Sequence, residues 1–364
     1  MSETEKYLLF LKHSLNEQPV EEQTVKDIVW HDLLLFAKKQ AIVGVYWQGI
    51  QQLGHLRENK PTDDDVLEWM ASSVRITRRS KKTDERAVWT YNNFLHEGFR
   101  SCLLKGQGVA LLYPDPLLRQ SGDIDIWVEG GAEKVIPYIR KLKPKAKACY
   151  HHIDFIKTEK VPIEVHYRPS WMSCPWYNRR LQRYFAEQGD AQFRHMVQLS
   201  GETGSLATPT WEFNVVFLLS HIYNHLLHEG IGLRQVIDYY YLLRQGAQKS
   251  EDERQAMGKI LRHVGMRKIG GALMWVLGEK LGLDSSLFVL PADERRGKVL
   301  LHEMISGGNF GKYDERTLSG TYDDAVSSNT QRLWRDLRMM RHFPAESLWE
   351  PFFRIYHFFW RKRH

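Results

Sequence analysis

Within residues 101–167 the runs 123–128 and 161–167 carry apolar side chains at every second position, whereas on either side of this region they recur at threes and fours. Strands and helices bury one face at those two periods respectively. The chain must therefore build a small sheet and surround it with helices. An α+β fold is expected: a mixed-sheet core over 101–175, a helical region over 1–100 and a helical domain over 176–364.

Upstream, 6–15 and 29–53 read as helices. A longer helix is expected to open at Thr62, Asp63, Asp64 and Asp65, because carboxylates favour helix N-termini. It runs past Trp69, Met70 and Val74 towards Phe94 and Phe99. The basic run 78–82 interrupts it, either as a solvated helix face or as a phosphate-contacting patch. Cys102, Leu103 and Leu104 form a short strand leading into Lys105-Gly106-Gln107-Gly108 and a helical stretch over 109–113, which Pro114 and Pro116 end. Residues 123–128 alternate as a half-buried strand should. A helix follows near 132–142, then two strands over 148–156 and 161–167 joined by a turn at 157–160. Beyond Trp176 the pattern is helical, with Thr210 as N-cap of a helix opening at Trp211; 307–328 is the most loop-like stretch.

With 43% hydrophobic and 26% charged residues among 364, the composition excludes disorder and fibrous repeats. Cys102, Cys149 and Cys174 lack CxxC spacing, which excludes a disulfide framework and a four-cysteine zinc site. The net charge of +7 suits phosphate-bearing ligands without requiring nucleic acid. The start MSETEKYLLFLKHSLNEQ lacks the features of an export signal, and no apolar run approaches the ~20 residues that cross a bilayer. A cytoplasmic location without a transmembrane segment is expected.

Residues i and i+2 of a strand share a face, so Asp123 and Asp125 stand roughly 6–7 Å apart at the backbone, opposite the buried Ile124, Ile126 and Val128. Two neighbouring carboxylates on a rigid strand are tolerated when a divalent cation lies between them, and hard oxygen ligands suit Mg²⁺ or Mn²⁺. The same pair read alone fits two solvated aspartates on an edge strand. In Pro162-Ile163-Glu164-Val165-His166-Tyr167, alternation buries Ile163, Val165 and Tyr167 and leaves Glu164 and His166 on the other face. If the two strands are neighbours, Glu164 adds a third carboxylate. Three carboxylates around two cations suit in-line phosphoryl or nucleotidyl transfer. Ahead of them, Gly106 lets the backbone approach a phosphate, a helix start at Gln107 or Gly108 offers N–H groups, and Lys105 adds a point charge. Arg119 and Ser121, in the R-x-S-G-D-x-D run with Gly122, are close enough to reach phosphate oxygens.

The segment LLKGQGVALLYPDPLLRQSGDIDIWV followed by IEVHYRP resembles the uncharacterised nucleotidyltransferase (NTP_transf_5) family of the DNA polymerase β-like superfamily; the K-G turn and R-x-S-x-D-I-D run are similar to AbiEii-type toxin nucleotidyltransferases. The resemblance spans roughly 100–242. It implies a polymerase β-like core in which Asp123, Asp125 and Glu164 hold Mg²⁺ (or Mn²⁺), while Lys105 and Gly106 lie beside a nucleoside triphosphate such as ATP. Gln107 stands where the superfamily usually has the serine of a Gly-Ser pair. The expected activity is transfer of a nucleoside monophosphate group to an unidentified hydroxyl or phosphate acceptor: a small molecule, a sugar phosphate, a protein or a tRNA end. The competing readings are a DxD glycosyltransferase using a nucleotide sugar and a non-catalytic nucleotide-binding scaffold.

Other positions carry less. His152 reaches the Glu164 face only in some hairpin registers. His166 shares that face, as a phosphate donor or partner of the carboxylates. His221, His225 and His228 lie on one helix face at i, i+4 and i+7, and Arg234 and Asp238 are spaced for an intrahelical ion pair. The resemblance places His221, His225, Arg234 and Asp238 at the cleft. The segment 349–364, aromatic and ending basic, suits an anionic membrane surface or a protein partner if it is an amphipathic helix, or else docks back on the helical domain.

Overall fold

The computed structural model describes residues 1–16, 19–156, 161–201, 203–311 and 325–364, without the side chains of 310 and 325–331. The expected turn at 157–160 and most of the loop-like stretch 307–328 lie outside the described residues.

The chain opens with α1 (Glu3–Asn16), α2 (Glu22–Val25), α3 (Trp30–Gln40) and α4 (Val43–Ile50). The run over 29–53 is two helices, because Ala41 adopts a left-handed conformation (φ 56°) that ends α3. Helix α5 (Asp63–His96) starts where the acidic cluster predicts: the Thr62 hydroxyl accepts from the Asp65 N–H and the Asp65 carboxylate from the Thr62 N–H, closing a capping box. It then runs 34 residues without a break. The basic run does not interrupt it: Arg78, Arg79, Lys81 and Lys82 are solvated, while Ser80 between them is buried.

The sheet comprises β1 (Ser101–Leu104), β2 (Ile124–Val128), β3 (His152–Ile156) and β4 (Ile163–His166), in the order β1-β2-β4-β3. Between them lie the short α6 (Gly106–Ala110) and α7 (Gly131–Leu142). Strand β2 is antiparallel to β1 and parallel to β4, and β3 is antiparallel to β4. All five residues of β2 are buried, not half of them as the alternation suggests. The reason is that its polar-parity face is covered too: Trp127 lies against Phe193 of α8 (Pro175–Arg194) and Phe213 of α9 (Trp211–His228). On the other side of the sheet Phe94 of α5, Tyr138 of α7 and Phe155 of β3 meet.

Between α8 and α9 the structure places an antiparallel hairpin, β5 (Met196–Gln198) and β6 (Ser205–Ala207), where helix was expected. Three-residue strands are too short to impose a period. The Thr210 hydroxyl caps α9 as expected. Helices α10 (Leu233–Gln245), α11 (Glu251–His263), α12 (Arg267–Trp275), α13 (Glu294–Gly307), α14 (Ala325–Met340) and α15 (Pro344–Arg363) follow. Buried polar groups tie the two helical flanks directly together: Gln40 donates to the Met304 carbonyl and accepts from the Leu233 N–H, and Tyr240 donates to Asn16.

Helix α15 docks back on the fold. Tyr150 takes Phe353 and Trp360 edge-on, and buried Glu346 accepts from the Ser173 and Cys174 N–H groups. Phe352, Ile355 and Phe359 on its outer side remain exposed. Among the described residues no helix is long and apolar enough to cross a membrane.

Candidate active site

The parallel pairing of β2 with β4 sets Asp125 directly beside Glu164. Asp123 precedes β2 by one residue. One oxygen from each of Asp123, Asp125 and Glu164 lies within 4.8 Å of the others. In Asp125 both carboxylate oxygens are engaged: Lys105 Nζ stands 3.0 Å from Oδ2 and His166 Nε2 2.9 Å from Oδ1. Burial alone raises the Asp125 carboxyl, but Lys105 and His166 outweigh it and hold it below the ordinary carboxylate range. Glu164 behaves alike, burial opposed chiefly by His166 and His152. For His166, burial disfavours the charged ring and the two carboxylates overcome it, so its pKa is raised.

Lys105 reaches this position through an unusual backbone. It sits at φ +37° and Gly106 at φ +56°. Two successive positive-φ residues turn the chain at the end of β1, at a cost of about 1–3 kcal/mol for the non-glycine one. The ammonium is thereby directed at Asp125. Lys105, Gly106, Gly122, Asp123 and Arg234 line a narrow cleft of about 20 Å³ on this side of the carboxylates.

Three residues expected to reach phosphate are held otherwise. Gln107 is buried and donates to Ser121 Oγ (3.0 Å), which also meets Ser80 Oγ of α5 (3.1 Å); both serve the packing behind the turn and neither lines the cleft. Arg119 is in the cleft wall, yet its Nε and Nη2 bind the two oxygens of Asp238, each at 2.7 Å, and Tyr113 donates to the same carboxylate. Asp238 thus takes its closest hydrogen-bonding partners from other segments, while Arg234 on its own helix adds favourable charge, as the spacing suggests. Arg234 donates to the Gln120 carbonyl at 3.0 Å and lies over Gly122, where an added Cβ would stand 3.6 Å from its Nη1.

Beyond the carboxylates the site opens into a chamber of about 530 Å³. His152 pairs across the strands with His166, and Asp154 with Glu164, so His152 lies on the carboxylate face with Nδ1 3.5 Å from Glu164. The face of α9 that carries His221, His225 and His228 also turns inward. His221 meets Lys105 Nζ at 3.3 Å and His225 at 3.0 Å, and His228 lies 3.4 Å from Glu350 of α15. Burial, with Lys105 and His225 adding like charge, keeps His221 well below the ordinary imidazole range.

Sequence reasoning missed the far wall. Trp171 stacks on His151 with centroids 4.0 Å apart, and its loop is held by Asn224, which donates to the Trp171 carbonyl. Glu350, Phe353, Arg354 and His357 of α15 also line the chamber. Their i, i+3, i+4, i+7 spacing marks one helix face, a signal that was available but did not reveal what the face covers. Cys149 lines the chamber as well. Burial raises its thiol, while contacts with His152 outweigh that and leave it below its ordinary value.

No curated protein matches the chain. A solved structure, an antigenic nucleotidyltransferase-like protein from Paracoccidioides brasiliensis, aligns with 60% of this chain and 96% of its own at 11% identity and a TM-score of 0.31. The family match runs over residues 26–282, wider at both ends than the motif-bearing span of about 100–242, and it takes in α3, α4 and α5 as well as the sheet. With that match across well over half of its length, the chain belongs to the family described as uncharacterised nucleotidyltransferase.

Proposed function

We propose that the chain is a metal-dependent nucleotidyltransferase: an acceptor oxygen bonds to the α-phosphorus of a nucleoside triphosphate, the bond to the bridging oxygen breaks, and pyrophosphate leaves with the electron pair. The observation that carries this reading is the convergence of Asp123, Asp125 and Glu164 within 4.8 Å beside the Lys105-Gly106 turn. Three hard oxygen donors fit Mg²⁺ or Mn²⁺, and these three residues would hold it. Bound there, such a cation neutralises charge developing on the transferred phosphoryl group and its leaving oxygen.

The protein's own groups do the rest. Lys105 and Arg234 bring positive charge to the narrow cleft, where Gly106 and Gly122 let a phosphate chain approach the backbone. Arg119 and Asp238 form a buried clamp that braces this wall, and Gln107 and Ser121 fix the turn against α5; these four are positioning residues. His166 holds Asp125 in place. Glu164 accepts the acceptor's proton, with His152 beside it. The chamber has the volume typical of small-molecule sites, which favours a small acceptor, or the base and ribose of the donor, on the histidine side.

The test offers NTPs labelled on the α-phosphate to the protein with Mg²⁺ and cell extract, and asks which fraction acquires label. Label transfer by the wild type that disappears in a folded Asp123→Asn protein is expected. Undiminished transfer by that variant removes the assignment.

A further inference from the structure

Beside the carboxylates lies a second group of donors of different chemistry. Cys149 Sγ stands 3.6 Å from His151 Nδ1 and 3.4 Å from His152 Nδ1, and His151 Nε2 is 2.8 Å from His152 Nδ1. One donor atom from each of the three lies within 4.8 Å of the other two. Donors around one tetrahedral zinc, with Zn–S about 2.3 Å and Zn–N about 2.0–2.1 Å, stand about 3.3–3.6 Å apart. The two sulfur–nitrogen separations match that spacing.

His151 turns Nδ1 to Cys149 and Nε2 to His152, so the sulfur and the Nδ1 atoms of both rings are the donor set that matches this spacing. The backbone already fixes the triangle: the Cys149 N–H donates to the His152 carbonyl, and Tyr167 and Arg168 donate their N–H groups to the His151 carbonyl. The His151 ring is held flat on Trp171. All three donor residues face the chamber.

We propose that Cys149, His151 and His152 form a second metal site, separate from Asp123, Asp125 and Glu164, that takes a borderline-soft divalent cation such as Zn²⁺. One thiolate and two imidazoles select zinc over magnesium, which prefers oxygen. Three protein ligands leave a fourth position open towards the chamber, for water or for an anionic or sulfur donor on a bound molecule. His152 Nδ1 lies 3.4 Å from Cys149 and 3.5 Å from Glu164. Filling the site therefore engages His152 on the sulfur side and withdraws it from the carboxylate. None of this depends on nucleotidyl transfer, and the test reads no activity.

The full-length protein is titrated with Co²⁺ under reducing conditions. A sulfur-to-cobalt charge-transfer band in the near ultraviolet is expected, displaced by Zn²⁺ and unaffected by excess Mg²⁺. The band is lost in Cys149→Ser and retained in Asp125→Asn, which separates this site from the carboxylate one. Absence of the band in the wild type overturns the proposal, as does its persistence in Cys149→Ser, since Cys102 or Cys174 would then be the ligand. Should Cys149→Ser fail to fold, alkylation of the native wild type decides. Zn²⁺ is expected to slow modification of Cys149, mapped by mass spectrometry, with a chelator restoring the rate; an unchanged rate contradicts the site.

Discussion

The two sides of the carboxylate cluster are built in opposite ways. On the Lys105 side the cleft is about 20 Å³, and its shape follows from strand register, two positive-φ residues and the buried Arg119–Asp238 pair. On the histidine side the chamber is about 530 Å³, and side chains from β3, α9 and α15 wall it. The first is specified by main chain and tolerates little change. The second depends also on how a distant helix docks, and its α15 wall can be reshaped without touching the carboxylates. On the nucleotidyl-transfer reading proposed above, phosphate handling falls to the first side, and a small acceptor or the base and ribose of the donor to the second.

That contrast breaks most readily at the buried clamp. Arg119 and Asp238 are 5% and 4% exposed, so Asp238→Leu leaves an uncompensated buried charge and is expected to cost about 3–5 kcal/mol, read by chemical denaturation. A cost below about 1 kcal/mol would place the pair in the class of weak surface bridges. Next in size, Glu164→Gln is expected to lower label transfer by about 10²–10³-fold, the several kcal/mol that metal-centred charge stabilisation represents, with an unchanged circular dichroism spectrum. Unaltered transfer would show that two aspartates suffice.

The chamber side should answer to pH through α15. Glu346 is buried against the Ser173 and Cys174 N–H groups, and burial pushes its pKa up to about 7 from the ordinary 4.5. The folded chain therefore holds this proton where the unfolded chain releases it. The resulting stability is present below pH 4.5 and is lost as pH rises towards 7. Thermal unfolding should show this decline in the wild type and a flatter profile in Glu346→Gln; identical profiles would contradict it. The smallest effect belongs to Phe353→Ala. Its contacts with Tyr150 and Trp171 are worth about 0.5–1.5 kcal/mol each. Unfolding should register that loss while Mn²⁺ affinity stays the same, and a parallel fall in Mn²⁺ affinity would mean the two sides are coupled.

Much of the carboxylate cluster and of its narrow side was legible in the sequence, because that information is local. Period two along 123–128 and 161–167 gives the parity of Asp125, Glu164 and His166, and a glycine after a lysine marks the turn. Burial of β2 on both faces was not legible, since the covering residues Phe193 and Phe213 lie far along the chain. Spacing pairs Asp238 with its i−4 neighbour Arg234 but could not show the arginine 119 residues away that binds both its oxygens. For 349–364 the amphipathic face was visible, but nothing local says that Phe353 and His357 cover Trp171 and Tyr150. The family match from residue 26 adds that α3 to α5 belong with the sheet, a relation that helical periodicity alone does not express.

The most direct test of the carboxylate cluster is a Mn²⁺ titration of the protein followed by electron paramagnetic resonance, without nucleotide. The wild type should remove the free Mn²⁺ signal stoichiometrically, and folded Asp125→Asn should leave it nearly intact. Equal binding by the two proteins would contradict the assignment of Asp123, Asp125 and Glu164 as the place where the metal is held.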